Sequence, residues 1–561
     1  MHIAGDTLSN DQLCEADVCV IGAGPTGIAC ALELIQAGVS VCLLESGDSE
    51  REATVARDQD RGQLPEGSKY YEPEIIRARA VGGSSTLWDA GVEPLNRGAR
   101  YIPFDEVDFE TRSSIPHSGW PISRQQLDPY YRRAQSYAGI GPYDYNISTW
   151  SGDTQPFQLD ETLVRSGVFQ FGSADTYYKL HRATLCSAES VKLYTRTTAL
   201  ELRATPGGER VNEVRARASG GAMLEVRART VILAMGALEN IRLLLCSQDS
   251  DPAGLGNRRG VVGRYFVDHP LVSAGAIVPR DPGFFEESQF YDWRSMSGTT
   301  VCGHLKLGAK TMRDEKVLGV GSMLVPRSDH SPLVGVQSAR AVLSSFRDKR
   351  PPSASDVLRA PQAILEIPSI LQRRKAESLG VNLPINRGGW SRMPSALPLI
   401  RSFDVVWATE QAPSPEHRVE LSEEKDAFGT PRIRINWSWS ELDQHCLKNA
   451  QEIFADAFSS AGFASFEPRR SDGELVMRAP TMHHPMGGTR MSSDPEQGVV
   501  DARCKVFDTE NLFVAGGSVF PTGSFANPTL TMMATGVLAA ESALSALGIV
   551  ASPPDNQAGR E

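Results

Sequence analysis

The sequence is short of several things, and each shortage closes a class of function. No run of 18 apolar residues occurs, so a membrane-spanning helix is not expected. Positive charge is in deficit. The chain has 57 Lys and Arg against 68 Asp and Glu, a net charge of −11, which argues against nucleic-acid binding. Nine cysteines are scattered without Cys-x-x-Cys spacing. They read as reduced, mostly buried thiols of a cytoplasmic protein, not as a disulfide framework. No cluster has metal-ligand spacing: His483-His484 stands outside any HExxH frame, and adjacent residues seldom ligate one metal together. The opening MHIAGDTLSNDQLCEAD has neither a basic nor an apolar region, so a cleaved export signal is not expected. No internal repeat is evident. With 41% hydrophobic and 22% charged residues, the composition is that of a globular protein, and 561 residues exceed what one core accommodates.

Two stretches carry chemistry. In the first, the apolar run Ala16 to Ile21 leads into Gly22-Ala-Gly24-Pro-Thr-Gly27. A helical pattern follows from Ile28 to Ala37, closed by Gly38, and then a second apolar run, Val39 to Leu44, ends at Glu45. Strand, glycine turn, helix, strand and acid in this order predict a dinucleotide site. The glycines let a pyrophosphate approach a helix N-terminus, and an acid about 20 residues on meets a ribose hydroxyl. Glu45 would repel a 2′-phosphate, which leaves FAD or NAD. A second small-residue turn, Gly82-Gly83-Ser84-Ser85, follows the basic Arg77-Ala-Arg79. It reads either as a surface loop or as backbone N–H groups approaching a cofactor ring or phosphate.

The second stretch runs from Pro480 to Leu538. His483-His484 precedes Gly487-Gly488, and the apolar run Leu512 to Ala515 ends in Gly516-Gly517. Asn527-Pro528 then opens a proline-free helical segment, Thr529 to Leu547, with Asn as the cap and Pro at the first helical position. A helix N-terminus is electropositive, and a nearby His takes up protons near neutral pH, so the stretch offers a base beside an anion-stabilising end. The plain alternative is a capped helix and two surface histidines.

Between these stretches, residues 101–190 read as irregular structure with short helices such as Gln125 to Ala138. Short strands are predicted at Lys192–Tyr194, Ala199–Arg203, Val211–Arg217 and Leu224–Val226, and a buried strand from Thr230 feeds a helix through Gly236. Strand patterns at Ser273–Val278, Thr299–Leu307, Val317–Leu324, Phe403–Thr409 and Arg432–Trp437 suggest one antiparallel sheet. Ser440 to Phe458 is a capped amphipathic helix with Gly462 beyond it. Residues 331–400 read as a basic, proline-rich, partly helical surface excursion. The fold expected is α/β, or α+β overall: a Rossmann-like domain for FAD or NAD from 1–100, 191–270 and 480–550, a substrate domain on an antiparallel sheet from 101–190 and 271–479, and a loose tail at 551–561.

The dinucleotide turn, Val81-Gly-Gly-Ser-Ser85, Ile232-Leu-Ala-Met-Gly-Ala-Leu-Glu-Asn240, and His484 with Asn527-Pro-Thr529 occur in the order seen in glucose–methanol–choline (GMC) oxidoreductases. The chain resembles that family over residues 16–547, most of all its branch of pyranose oxidases and fructose, gluconate and glucoside dehydrogenase large subunits. The resemblance implies FAD, a sugar or other alcohol substrate, and hydride transfer to the flavin. It implies His484 as general base and Asn527 as its partner. Gly22, Gly24, Gly27 and Glu45 fall at the adenosine-diphosphate site, and Ala199 at a backbone contact to adenine. Gly82, Gly83, Ser84 and Ser85 fall beside the isoalloxazine, Gly517 and Ser518 at the pyrophosphate and ribityl chain, and Pro528 and Thr529 at the pyrimidine end of the ring. Leu87 stands where pyranose oxidases carry a flavin-linked His, so FAD is expected to be non-covalent. Gln411 is a candidate substrate contact, and His269 reads as structural. Oxygen, or a quinone, dye or cytochrome, would accept the electrons, and an accessory subunit or a homo-oligomer is compatible with the branch. A flavin monooxygenase, a lyase of the same fold and a dinucleotide-sensing module are the competing readings.

Overall fold

The computed structural model describes residues 1–48, 55–88, 98–173, 176–281, 284–328, 333–378, 388–392 and 397–550. The tail expected at 551–561 lies outside them. Two large sheets organise the chain.

Among the described residues the first sheet has eight strands. Its centre is parallel: Val191–Thr195, Val41–Leu44, Gln12–Ile21, Met223–Leu233 and Leu512–Val514 lie side by side, and Thr197–Ala204 with Val211–Ala218 add an antiparallel edge. The two strands expected at Leu224–Val226 and from Thr230 are one continuous strand, Met223–Leu233, whose first half pairs with Val211–Ala218 and whose second half is buried in the parallel core. Helix Pro25–Gln36 packs on this sheet beside helix Thr529–Ala546. That second helix is apolar on all sides and almost entirely buried, as such helices are. Gly536 is the point of close approach: an added Cβ would lie 2.9 Å from Thr26 O.

The second sheet has ten strands among the described residues, antiparallel in the order Arg470–Ser471, Glu474–Ala479, Leu271–Pro279, Ser402–Thr409, Val320–Arg327, Thr299–Leu307, Val164–Ser173 and Gly98–Tyr101, with two short strands beside it. Helix Glu441–Ala461 covers it. Ser440 caps this helix in a reciprocal box with Asp443, and Gly462 ends it in the left-handed region. Two expectations fail here. Residues 164–173, read as irregular, form a ten-residue strand buried on both faces, so no polar alternation marked it. Pro431–Asn436 does not join the large sheet; it pairs with Arg418–Lys425 and Gly62–Gln63 in a separate three-stranded sheet. The excursion at 331–400 is more helical than expected, with helices Val334–Arg347, Ala354–Arg359 and Ile367–Ser378. All nine cysteines are free, and no described helix is long and apolar enough to cross a membrane.

Candidate functional site

Strand Gln12–Ile21 ends at Gly22, whose φ of +101° only glycine adopts easily, and whose Cβ would stand 2.7 Å from Ala234 O. A Cβ at Gly27 would meet Gly22 O at 1.8 Å. The helix therefore begins directly against the strand end. Its first hydrogen bond runs from Ile28 N to Gly24 O, so the N–H groups of the first turn face outward with the positive end of the helix dipole. They face a cavity that Gly24, Pro25 and Thr26 help to line. Gly22, Gly24, Thr26, Glu45, Ala199, Gly83, Ser84, Ser85, Pro528, Thr529, Met532 and His484 are on its wall, with Gly24 and Gly83 so close that a Cβ on Gly83 would stand 3.0 Å from Gly24 Cα. Glu45 is buried. Its carboxylate accepts N–H bonds from Ala23 (2.9 Å) and Gly47 (2.8 Å), and burial raises its pKa.

These residues fit FAD. The glycines leave the room a Cβ would fill, the helix end suits the pyrophosphate, the acid suits the ribose, and the N-terminus of helix Thr529–Ala546 lies on the same wall. Four expected contacts stand behind the wall instead of on it. Gly27 supports the turn, Gly82 (φ +97°) shapes the second turn, Gly517 accepts Gly487 N–H, and Ser518 Oγ accepts Asn240 Nδ2–H at 2.9 Å. The wall also holds residues that sequence reasoning did not assign. Arg79 bridges Asp60 (3.0 Å) and Glu239 (2.8 Å), and Arg242 pairs with Asp426 (2.7 Å). Burial alone would push the Glu239 carboxyl upward, but Arg79, Arg77 and Arg242 hold it well below the usual carboxylate range. The Arg77-Ala-Arg79 spacing ahead of the glycine turn was the available signal.

A second cavity opens off the first. Ile76, Ser84, Trp88, His483, His484 and Thr529 line both, so the two meet there. The rest of the second wall mixes the aromatic rings of Phe169, Phe171, Tyr291, Trp293 and Trp390 with aliphatic and charged residues such as Leu271, Met323 and Asp292. Arg100 lies on it with its guanidinium 4.7 Å over the Phe169 ring, and burial draws its pKa down to about 10. Leu87 also lines this second cavity.

At the junction, the proton positions on two histidines follow from their partners. His269 Nε2 lies 3.0 Å from Gly523 O, and a carbonyl only accepts, so Nε2 carries the proton. Burial lowers the His269 pKa to about 4, so the ring is neutral and its Nδ1 is a lone pair. His484 Nδ1, 3.0 Å away, must then donate to it, which leaves His484 Nε2 unprotonated. That nitrogen is 3.5 Å from Asn527 Nδ2, on the cavity side. Burial, then His269, Arg100 and His483, hold the His484 pKa well below the ordinary imidazole range. Asp268 fixes the backbone of both histidines: Oδ1 accepts His484 N–H (2.9 Å) and His269 N–H (2.6 Å), and Oδ2 accepts the Tyr70 hydroxyl (2.8 Å). Burial raises Asp268 to about 6. His483 also faces both cavities, but its ring packs edge-on against Tyr71 and, among the described residues, has no comparable partner at Nδ1.

Three readings change. Gln411 lines neither of these cavities. It is 1% exposed, and its amide is used up: Oε1 accepts Asp268 N–H and Trp437 Nε1–H, and Nε2 donates to Ser438 O. Asn527 is at the site but does not cap the helix. Pro528 occupies the cap position with no side-chain cap bond, because the Asn527 amide turns toward His484. His269, read as structural, is in direct contact with the site; the Asp268-His269-Pro270 run was its only sequence signal.

A family model described as FAD dependent oxidoreductase matches residues 17–304, and one described as GMC oxidoreductase matches residues 413–536. The 2-methyl-1,2-propanediol dehydrogenase of Mycolicibacterium austroafricanum is 25% identical, the match covering 95% of this chain and 96% of that protein. The fructose dehydrogenase large subunit of Gluconobacter japonicus is 21% identical over 96% of this chain and 99% of that one. Among solved structures, pyridoxine 4-oxidase from Mesorbium loti superposes with a TM-score of 0.51 at 15% identity, covering 94% of this chain and 98% of that one, a likeness of fold. With the dinucleotide cradle, the junction histidine and both family models in agreement, the chain belongs to the GMC-type FAD-dependent oxidoreductases.

Proposed function

We propose that this enzyme oxidises a CH–OH group of a sugar or glycoside, a secondary alcohol on a pyranose ring, with His484 as the general base. The observation that carries the reading is the unprotonated His484 Nε2 beside Asn527 Nδ2, where the cofactor and substrate cavities meet. FAD, when bound, supplies the hydride acceptor. An alcohol C–H yields hydride readily only as the hydroxyl proton leaves. His484 Nε2 takes that proton, and Asn527 Nδ2–H donates to the same oxygen and orients it. The positive end of helix Thr529–Ala546 favours negative charge at the cofactor end of the junction. His269 keeps the base in the productive tautomer.

The presence of aromatic rings on that wall supports the sugar reading, since ring faces pack well on the C–H faces of a pyranose. So does the similarity to a fructose dehydrogenase large subunit, whose name also favours an accessory subunit here. A second reading, a small non-sugar diol, is favoured by the similarity to 2-methyl-1,2-propanediol dehydrogenase. Anaerobic mixing of the yellow enzyme with free sugars, glycosides, short branched diols and aryl alcohols separates them. A pyranose or pyranoside is expected to bleach the flavin fastest. Faster bleaching by a diol or an aryl alcohol than by every sugar and glycoside rejects the sugar reading. Repeating the panel with oxygen and with a quinone or dye identifies the acceptor.

A further inference from the structure

Large apolar side chains are left in solvent in one part of the chain above all. Of the thirteen exposed large hydrophobic residues among the described ones, eight lie within residues 343–371. Leu343, Phe346, Leu358, Ile364, Leu365 and Leu371 are each 61–83% exposed. They sit on a helical excursion that packs mainly on itself. Helix Val334–Arg347 rests against the turn Ala360–Ile364 and helix Ala354–Arg359, and Glu366 caps its start by accepting Gly335 and Val336 N–H, each at 2.9 Å. That self-packing hides little: helix Val334–Arg347 buries only Gly335 and Ser338, and residues 354–364 bury nothing. Pairs such as Leu343 with Phe346, three apart on one helix, share a face.

The same excursion reverses the charge of the molecule. Residues 333–378 contain eight Lys or Arg and four Asp or Glu, a local net charge of +4 in a chain of −11. Arg340, Arg347, Lys349, Arg350, Arg359 and Arg374 are exposed. Helices that expose aliphatic residues beside Lys and Arg match the chemistry of an anionic lipid surface, with aliphatics entering the acyl boundary and cations meeting headgroups. A protein interface would be richer in aromatics. Phe346 is the lone aromatic among the eight.

We infer that the helical excursion at residues 333–378 is a docking surface for an anionic lipid bilayer. The excursion leaves the antiparallel sheet after strand Val320–Arg327, whose Met323 and Leu324 line the substrate cavity, and the chain returns to the same cavity at Gly388 and Trp390. Asp292 fastens that return, accepting N–H bonds from Gly389 and Ser391 (2.8 Å each) and the Ser391 hydroxyl (2.6 Å). A docked enzyme therefore holds the bilayer on a segment continuous with its substrate cavity.

The test is co-sedimentation of the FAD-loaded enzyme with vesicles of phosphatidylcholine alone and with about one quarter phosphatidylglycerol. Binding to the anionic vesicles at low salt is expected, with release as salt screens the cations and little binding to neutral vesicles. The triple change Arg347→Gln, Lys349→Gln and Arg350→Gln should weaken binding about a hundredfold. Leu343→Ser with Phe346→Ser and Leu365→Ser should weaken it by at least about tenfold. All six positions are exposed, so FAD content and turnover in solution stay at wild-type values in both variants. Equal binding to both vesicle types, or wild-type binding by either variant, overturns the inference. So does concentration-dependent self-association that the apolar variant abolishes, which would make a second copy of the chain the occupant.

Discussion

Along the cofactor cavity the wall includes glycine backbone at Gly22, Gly24 and Gly83 and a helix N-terminus, beside charged side chains such as Arg79 and Glu239. Along the substrate cavity it is made of large side chains, among them Trp88, Phe169, Trp293 and Trp390. At Gly22 and Gly83, held at positive φ, the backbone has no room for an added carbon, whereas a wall of side chains yields by changing rotamers. Damage to the first wall should therefore be all-or-none in cofactor retention, and damage to the second graded in substrate affinity.

The largest effect is expected from Gly22→Ala. The new Cβ meets Ala234 O and the φ of +101° becomes strained, so the protein should purify without yellow colour. Full FAD retention by this variant would break the comparison at once. Next is His484→Ala, which should keep FAD and lose about 10²–10⁴ in the rate of flavin reduction. His483→Ala should lose much less, because among the described residues its ring has no tautomer-fixing partner like His269. Rapid anaerobic mixing reads both.

His269→Ala should slow reduction by about tenfold or more by freeing the His484 tautomer, and it carries a pH signature. In the wild type, burial and His269 lower the His484 pKa, so kcat/KM should stay level as pH falls through the ordinary imidazole value near about 6.5, and decline only once Nε2 is protonated below it. Removing His269 lifts one of these influences and leaves burial, Arg100 and His483 in place, so the acid limb should move modestly to higher pH. An unmoved limb assigns His269 a structural role alone. Asn527→Ala should slow reduction by a similar or smaller factor with an unchanged melting temperature, since its amide caps no helix. A loss of stability near 1 kcal/mol would restore the cap. The smallest effect is expected from Trp390→Ala, which should raise KM several-fold with kcat nearly unchanged. A fall in kcat alone would place Trp390 in the chemistry and not in the wall.

The same contrast explains what could be read in the sequence. The cofactor turn was legible because its parts are consecutive: strand, Gly22 to Gly27, helix, strand and Glu45 need no distant partner to declare themselves. The substrate wall was not, because strand register assembles it. Phe169 and Phe171 reach it from a strand buried on both faces, whose pairing with Thr299–Leu307 nothing local announces. His269 meets His484 across 215 residues of chain. Asn527 was identified for two roles, and only its place beside His484 survives, since the orientation of an amide belongs to the folded site. Gln411 fell on the right strand end but inside the core, where its hydrogen bonds serve Asp268 and Trp437.

The residues shared by the two cavities have a thermodynamic consequence. Ser84, Trp88, His484 and Thr529 border both spaces, so FAD held in the first would border the second. A substrate in the second space would then gain contacts from bound FAD, and binding should be ordered, cofactor first. Coupling of this kind is reciprocal: whatever factor FAD lends to substrate affinity, bound substrate returns to FAD. Saturating substrate analogue should therefore slow the escape of FAD from the intact enzyme and raise its melting temperature, while leaving the apoprotein unchanged.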